Sequence, residues 1–250
     1  MIKECNVTWS EAMKQAIAEE LKDYTVYFSP KEVPETLSFP EQWLNFGPAG
    51  ASKRCTPDAW RHYAEWLPWV SSWVDDCVMG TVLAVGDKPF LMYVFSGEGD
   101  LYFYMGGEPL GEQSTLLDAW SGFPGSLKQF YCELHNGFGF YIGCTMGPLQ
   151  IEQFVSIKAL CDDDYPDLPE MTAIFSSGAG DYLALGEGAA SGETFIWWHE
   201  KPDQPARDLD MWAYMDSWMS IFLEGSDVHV AAPDSLPGEG LTVGGGGVPD

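Results

Sequence analysis

The sequence predicts an α+β fold, a central and mostly antiparallel sheet packed by helices. Three observations carry that prediction. Residues 172–199, TAIFSSGAGDYLALGEGAASGETFIWWH, read as three apolar strands (TAIF, YLAL and TFIWW) joined by the reversals SSGAGD and GEGAASGE. β-Branched and aromatic residues favour strands, and glycine supplies the φ values that tight turns need. Residues 78–105 repeat the pattern: VMGTVLAVG, FLMYVF and LYFYM are separated by Gly86-Asp87-Lys88-Pro89 and Gly97-Glu98-Gly99-Asp100. Between and around these meanders the apolar period lengthens to that of helices. Such ladders are stable only when something covers them, and the helical stripes are the available cover.

Taken in order, the chain opens with a helix over 8–22. Thr8 and Glu11 form a T-x-x-E capping box, and Met13, Ala16, Ile17 and Leu21 share one face. YTVYF at 24–28 is a short strand. Residues 29–50 hold Pro30, Pro34, Pro40, Gly47, Pro48 and Gly50, so irregular surface structure is expected. Thr56-Pro57 starts a second helix, with threonine as N-cap and proline in the first turn. Trp60, Tyr63, Leu67, Val70 and Val74 form its buried face, and Pro68 kinks or splits it.

After the first meander, 106–114 is a loop, and Leu116, Leu117 and Trp120 make a short helix. SLKQFYCELHNGF at 126–138 is a helix with Leu127, Phe130, Tyr131 and Leu134 in its stripe and Asn136-Gly137 as a left-handed stop. FGFYIGC and IEQFVSI are strands about a turn at Met146-Gly147-Pro148. An acidic loop, CDDDYPDLPE at 161–170, precedes the second meander. Leu209, Trp212, Met215, Trp218, Met219 and Phe222 then mark an amphipathic helix over 208–224 that lies across the sheet. Beyond it, 225–250 is an acidic Gly/Pro-rich stretch read as a flexible tail.

Charge is the strongest global signal. The 250 residues carry 38 Asp+Glu against 12 Lys+Arg, a net charge of −26. Such a chain repels the phosphates of nucleic acid and anionic membranes, and attracts basic partners. The competing reading is that the charge keeps an aromatic-rich protein in solution. A hydrophobic content of 46% and eleven tryptophans exclude a disordered chain. No leader-like or membrane-length apolar run is present, so the expectation is a cytoplasmic protein. Six scattered cysteines without a C-x-x-C spacing read as small buried residues.

No pattern in the chain assembles a recognisable catalytic site. His62, His135, His199 and His229 are far apart and lack metal-ligand spacing, and each reads as structural or exposed. There is no G-x-S-x-G elbow, and Gly178-Ala179-Gly180 opens a strand where phosphate binding needs a helix. SGEGD lacks the spaced oxygen ligands of a calcium loop. Asp162, Asp163 and Asp164 read as a solvated run, not a cation site. Trp60, Tyr63, Trp66, Trp69 and Trp73 read as core first and as a sugar or base platform second. The assignment is no catalytic residue, no metal and no cofactor.

The order of elements resembles the SUKH superfamily. The resemblance rests on a helix ending in an Asn-Gly turn (Leu127 to Gly137), an F-x-x-x-G-x-G-D-like strand–turn–strand (Phe175 to Asp181, in IFSSGAGD, with two residues and not three between Phe175 and Gly178), and a closing helix with tryptophans toward the sheet (Trp212 to Trp218). It covers about residues 126–224, and places one domain over 1–224 with an N-terminal elaboration whose meander lies outside the family pattern. It implies an α+β fold and, in bacteria, an immunity protein that binds a secreted toxin of a polymorphic or contact-dependent system; it implies no catalytic residues. Many nucleic-acid-cleaving toxins are basic, which suits an acidic inhibitor. The expected toxin-binding residues are Asp162, Asp163, Asp164, Asp167, Glu170, Glu187 and Glu193. Two readings compete with this one. A carboxylate hydrolase acting on a sugar polymer would need two acids roughly 5–9 Å apart in a cleft. A regulatory scaffold, as in yeast members of the superfamily, would bind several partners.

Overall fold

In the computed structural model, which describes residues 8–50, 55–111, 122–141 and 146–229, the strands sort into two antiparallel sheets. The first contains β1 (Thr25–Tyr27), β2 (Gly47–Pro48), β3 (Gly80–Val85), β4 (Pro89–Gly97), β5 (Asp100–Gly107) and β6 (Phe138–Phe140). Its order is β1-β3-β4-β5-β6, with β2 also paired to β3. The second contains β7 (Met146–Pro148), β8 (Val155–Ser156), β9 (Met171–Ser177), β10 (Tyr182–Gly186) and β11 (Thr194–Trp197). Its order is β11-β10-β9-β7, and β8 also pairs with β9. Each glycine-turn meander read from the sequence therefore forms the centre of its own sheet. The single central sheet expected is in fact two, and β6 belongs to the first of them.

The helices are α1 (Glu11–Glu20), α2 (Trp60–Tyr63), α3 (Pro68–Asp76), α4 (Gly125–Gln129) and α5 (Met211–Leu223). One large core joins α2–α5 to the inner faces of both sheets: Leu91, Tyr93 and Phe95 from β4 meet Leu183, Leu185 and Ile196 from β10 and β11. On the far side of the first sheet, Val82, Ala84, Met92 and Val94 pack on Trp9, Ile17 and Leu21 at α1. On the far side of the second, Ala173, Ala184, Phe195 and Trp197 lie under Ile157 and Leu168. With both faces covered, alternate residues are all apolar, which explains why the strands read as continuous runs.

Several local expectations are corrected. The N-cap of α1 is Ser10, whose side chain accepts from the Met13 amide at 3.1 Å, not Thr8. Trp9 is buried, and this fixes the chain so that the helix starts just after it. Thr56 is buried and does not cap α2, which is entered through a turn in which the Trp60 amide donates to the Pro57 carbonyl. Pro68 splits the run as expected and becomes the first residue of α3. Met146-Gly147-Pro148 is strand β7, not a turn, because it pairs with β9. IEQFVSI is not one strand: 151–153 and 157–160 are 3₁₀ turns flanking the two residues of β8. The helix at 125–134 widens after Gln129 into a π turn closed by the His135 amide on the Phe130 carbonyl. The helix expected at Leu116, Leu117 and Trp120, and residues 230–250 of the expected tail, lie outside the described residues. Residues 225–229 hydrogen-bond back to the fold: Asp227 N–H donates to Ser96 and His229 N–H to Asp76. No helix among the described residues is long and apolar enough to cross a membrane.

Candidate protein-binding surface

The outer face of the second sheet is covered by residues 157–170, not by a long helix. Ile157 and Leu168 plug into the apolar face, Tyr165 packs against it half-exposed, and the polar residues between them are left outside. The sequence demands this arrangement. Acids cannot enter a core unpaired, and Pro166 and Pro169 deny the segment a helix.

Asp162, Asp163, Asp164 and Asp167 are exposed and form no ion pair among the described residues. The other three expected contact residues are partly engaged. Glu170 pairs with Lys158 at 2.6 Å, and its carbonyl accepts from the Glu187 amide at 2.8 Å. Glu187 accepts a short hydrogen bond from the Thr172 hydroxyl. Glu193 lies 4.0 Å from Arg207, whose guanidinium sits over the Phe195 ring at 5.3 Å. Four of the seven thus have no partner among the described residues, two are ion-paired, and Glu187 reaches Thr172, whose register partner Leu185 belongs to the large core and not to the outer face. Asp203, which the sequence reading passed over, joins Asp162 and Asp163 around Tyr165, and burial first and then those carboxylates push its hydroxyl up. No motif marks Asp203; it reaches the site only through the loop after β11.

Elsewhere the polar side chains converge to hold the fold. Trp60 Nε1–H donates to the Tyr93 hydroxyl at 2.8 Å, and that hydroxyl is 2.8 Å from His135 Nε2. His135 Nδ1 faces the Gly107 carbonyl at 3.1 Å. A carbonyl only accepts, so Nδ1 bears the proton and Nε2 accepts from Tyr93. Burial pulls the imidazole down from 6.5 to about 3, so it is neutral. The next residue, Asn136, accepts from the Ile151 amide at 2.9 Å and donates to Glu152 at 3.0 Å. Burial pushes the Glu152 carboxyl up, but the Asn136 amide, a backbone amide and Lys88 outweigh it and hold the group below its usual range. A β-carbon on Gly107 would collide with the Asn136 carbonyl, so this approach requires glycine there. Gly137 follows with φ +81°, but it is not the helix stop expected from the sequence: the helix ends at Leu134, where His135 is already extended (φ −150°, ψ 136°). A buried carboxylate, Asp216 in α5, accepts from the amides of Trp69 (3.1 Å) and Val70 (3.0 Å) and caps α3 from across the core; burial pushes it above its ordinary value.

Two surface clefts formed by the described residues bear on the hydrolase reading. One of about 350 Å³ lies at the β9–β10 turn, lined by Leu149, Gln153, Val155, Ser176, Gly178, Gly180 and Tyr182, and contains no carboxylate. The other, about 290 Å³, lies at the end of α5 and includes a single one, Glu98. Neither holds the carboxylate pair of a glycosidase. Trp60, Tyr63 and Trp73 are core, which leaves Trp66, stacked on Trp212, and the exposed Trp69 from the would-be platform. No group of three metal-ligating side chains occurs among the described residues. His199 pairs with Asp181 at 2.8 Å beside the glycine turn, and His62 lies 3.6 Å from Glu133. Cys55, Cys77 and Cys161 are in no disulfide. Compared with protein-family models, with curated proteins and with solved structures, the chain matches none.

Proposed function

We propose that the chain is an immunity protein, which neutralises a basic toxin or effector domain by binding it through the carboxylate layer over the second sheet. One observation carries the reading: Asp162, Asp163, Asp164 and Asp167 stand uncompensated on a segment held down by Ile157 and Leu168. Fixed, exposed like charges cost no ordering on binding and accelerate encounter with a cationic surface. The SUKH resemblance is supported by the way its three motifs pack on one another. Phe130 of the first lies 6.1 Å from Trp212 of the third, and Phe175 of the second 5.8 Å from Trp218.

The test uses the C-terminal domain of a secreted protein encoded beside this chain. Association is followed by stopped flow between low and physiological salt, for the native chain and for D162K/D163K/D164K/D167K. The variant associates at least about tenfold more slowly at low salt, with a shallower salt dependence. An unchanged rate and slope would remove this surface. Turnover of a substrate by the purified chain alone would remove the non-enzymatic reading.

A further inference from the structure

The cleft at the C-terminal end of α5 is apolar inside and acidic outside. Its floor is Phe95, Tyr102 and Phe140, and its wall is Ile221 and Phe222. Ile221 is 65% exposed and Phe222 44%, large apolar side chains that the fold leaves in water beside the opening. Phe222 meets Phe140 at 5.8 Å, and Phe95 meets Tyr102 at 5.6 Å, so the pocket is built from rings that already hold one another. Glu98 lines the mouth. Asp100 stands opposite Gly97 in the β4–β5 register. Glu224 ends α5, and Asp227 accepts from Ser96 at 2.9 Å. The stretches that build the cleft, 89–107, 138–140 and 208–229, contain no lysine or arginine.

That charge selects the occupant. The chain's own continuation, residues 230–250, is acidic, with Asp234, Glu239 and Asp250 and no cation. A second copy brings another −26. Both are repelled by the rim. We propose that the cleft is a docking site for an apolar side chain carried on a cationic segment of another protein. Leucine or phenylalanine fills the aromatic pocket, and flanking lysines or arginines meet Glu98, Asp100, Glu224 and Asp227. A pocket of this size suits one anchoring side chain, the kind of contact that dominates interface energy. The site is separate from the carboxylate layer over the second sheet and does not depend on the immunity reading.

The test titrates the full chain with three fluorescein-labelled twelve-residue probes, built from Lys and Leu, Lys and Ser, or Glu and Leu. The Lys/Leu probe binds at least about tenfold more tightly than the Lys/Ser probe, and the Glu/Leu probe does not bind. Ile221→Ser and Glu98→Lys each weaken the Lys/Leu probe by about fivefold or more, whereas D162K/D163K/D164K/D167K changes it less than about twofold. Amide NMR shifts on binding centre on Gly97, Ile221 and Phe222. Equal affinity for the Lys/Ser probe, or an equal loss from the loop variant, would reduce the effect to net charge and overturn the proposal. Tighter binding after L236D/L241D would assign the cleft to the chain's own C-terminal segment. A concentration-dependent dimer abolished by Ile221→Ser would assign it to a second copy.

Discussion

The region around His135 and the segment at 162–170 are both dense in polar groups, and they treat them in opposite ways. Through His135 runs a relay in which every member has a partner: Trp60 donates to Tyr93, Tyr93 to His135, and His135 to Gly107. The imidazole is fully buried and neutral. On 162–170 four carboxylates face water without a cation. Buried polar groups must be satisfied because desolvation is costly, and once satisfied they dictate one arrangement. Exposed charges dictate nothing about the fold and remain available to a partner. The first region should therefore respond in stability and the second in association.

The largest effect is expected at His135. His135→Ala removes a ring stacked on Phe138, leaves the Tyr93 hydroxyl proton without its acceptor and takes a donor from the Gly107 carbonyl, at a cost of about 3–5 kcal/mol in denaturant unfolding. A loss under about 1 kcal/mol would show that the network does not hold the core. The same group gives a pH dependence. Its folded value, about 3, lies below the ordinary 6.5, so the unfolded chain takes up the proton first. The stabilisation is whole above pH 6.5 and is lost toward pH 3, with a slope of about 1.4 kcal/mol per pH unit. In ¹⁵N NMR, His135 keeps the Nδ1–H neutral tautomer from pH 8 to pH 5; titration near 6.5 would contradict the geometry.

A smaller effect is expected at Asp216. Asp216→Asn turns one acceptor into a donor facing an amide at the start of α3, and costs about 2 kcal/mol. The loss should appear in the unfolding midpoint while near-UV CD stays native. An unchanged midpoint would mean that α3 needs no cap from α5.

Local patterns made much of this legible, and long-range contacts hid the rest. Both meanders were readable because Gly97-Glu98-Gly99-Asp100 and Ser177-Gly178-Ala179-Gly180-Asp181 mark their turns in sequence. Their division into two sheets was not, because the apolar period is the same whichever neighbour a strand chooses. Thr8 and Thr56 have the residue type of a cap, whereas Trp9 and the turn after Pro57 decide where each helix starts. β7 was lost because Met-Gly-Pro has the composition of a turn, and only pairing with β9 makes it a strand. The acidic segment was visible as a run, but not that Glu170, Glu187 and Glu193 find partners in Lys158, Thr172 and Arg207. Asp216 capping α3 joins residues 147 positions apart and leaves no sequence signal.

The smallest expected effect on stability is the most telling. D162K/D163K/D164K/D167K changes net charge from −26 to −18, since each replacement adds two positive units across four sites. None of these aspartates is ion-paired among the described residues, so no salt bridge there is broken, and self-repulsion falls. The midpoint of unfolding should stay in place at high salt and move slightly upward at low salt, where repulsion is least screened. Thermal unfolding at 20 mM and 500 mM salt reads both, with the two concentrations chosen as roughly 20 Å and 4 Å of screening length. A fall in the midpoint at either concentration would show that these carboxylates hold the segment down, and the contrast with His135 would disappear. A midpoint that holds while association slows would separate the two regions cleanly, because the same four charges would then be dispensable for folding and required for encounter.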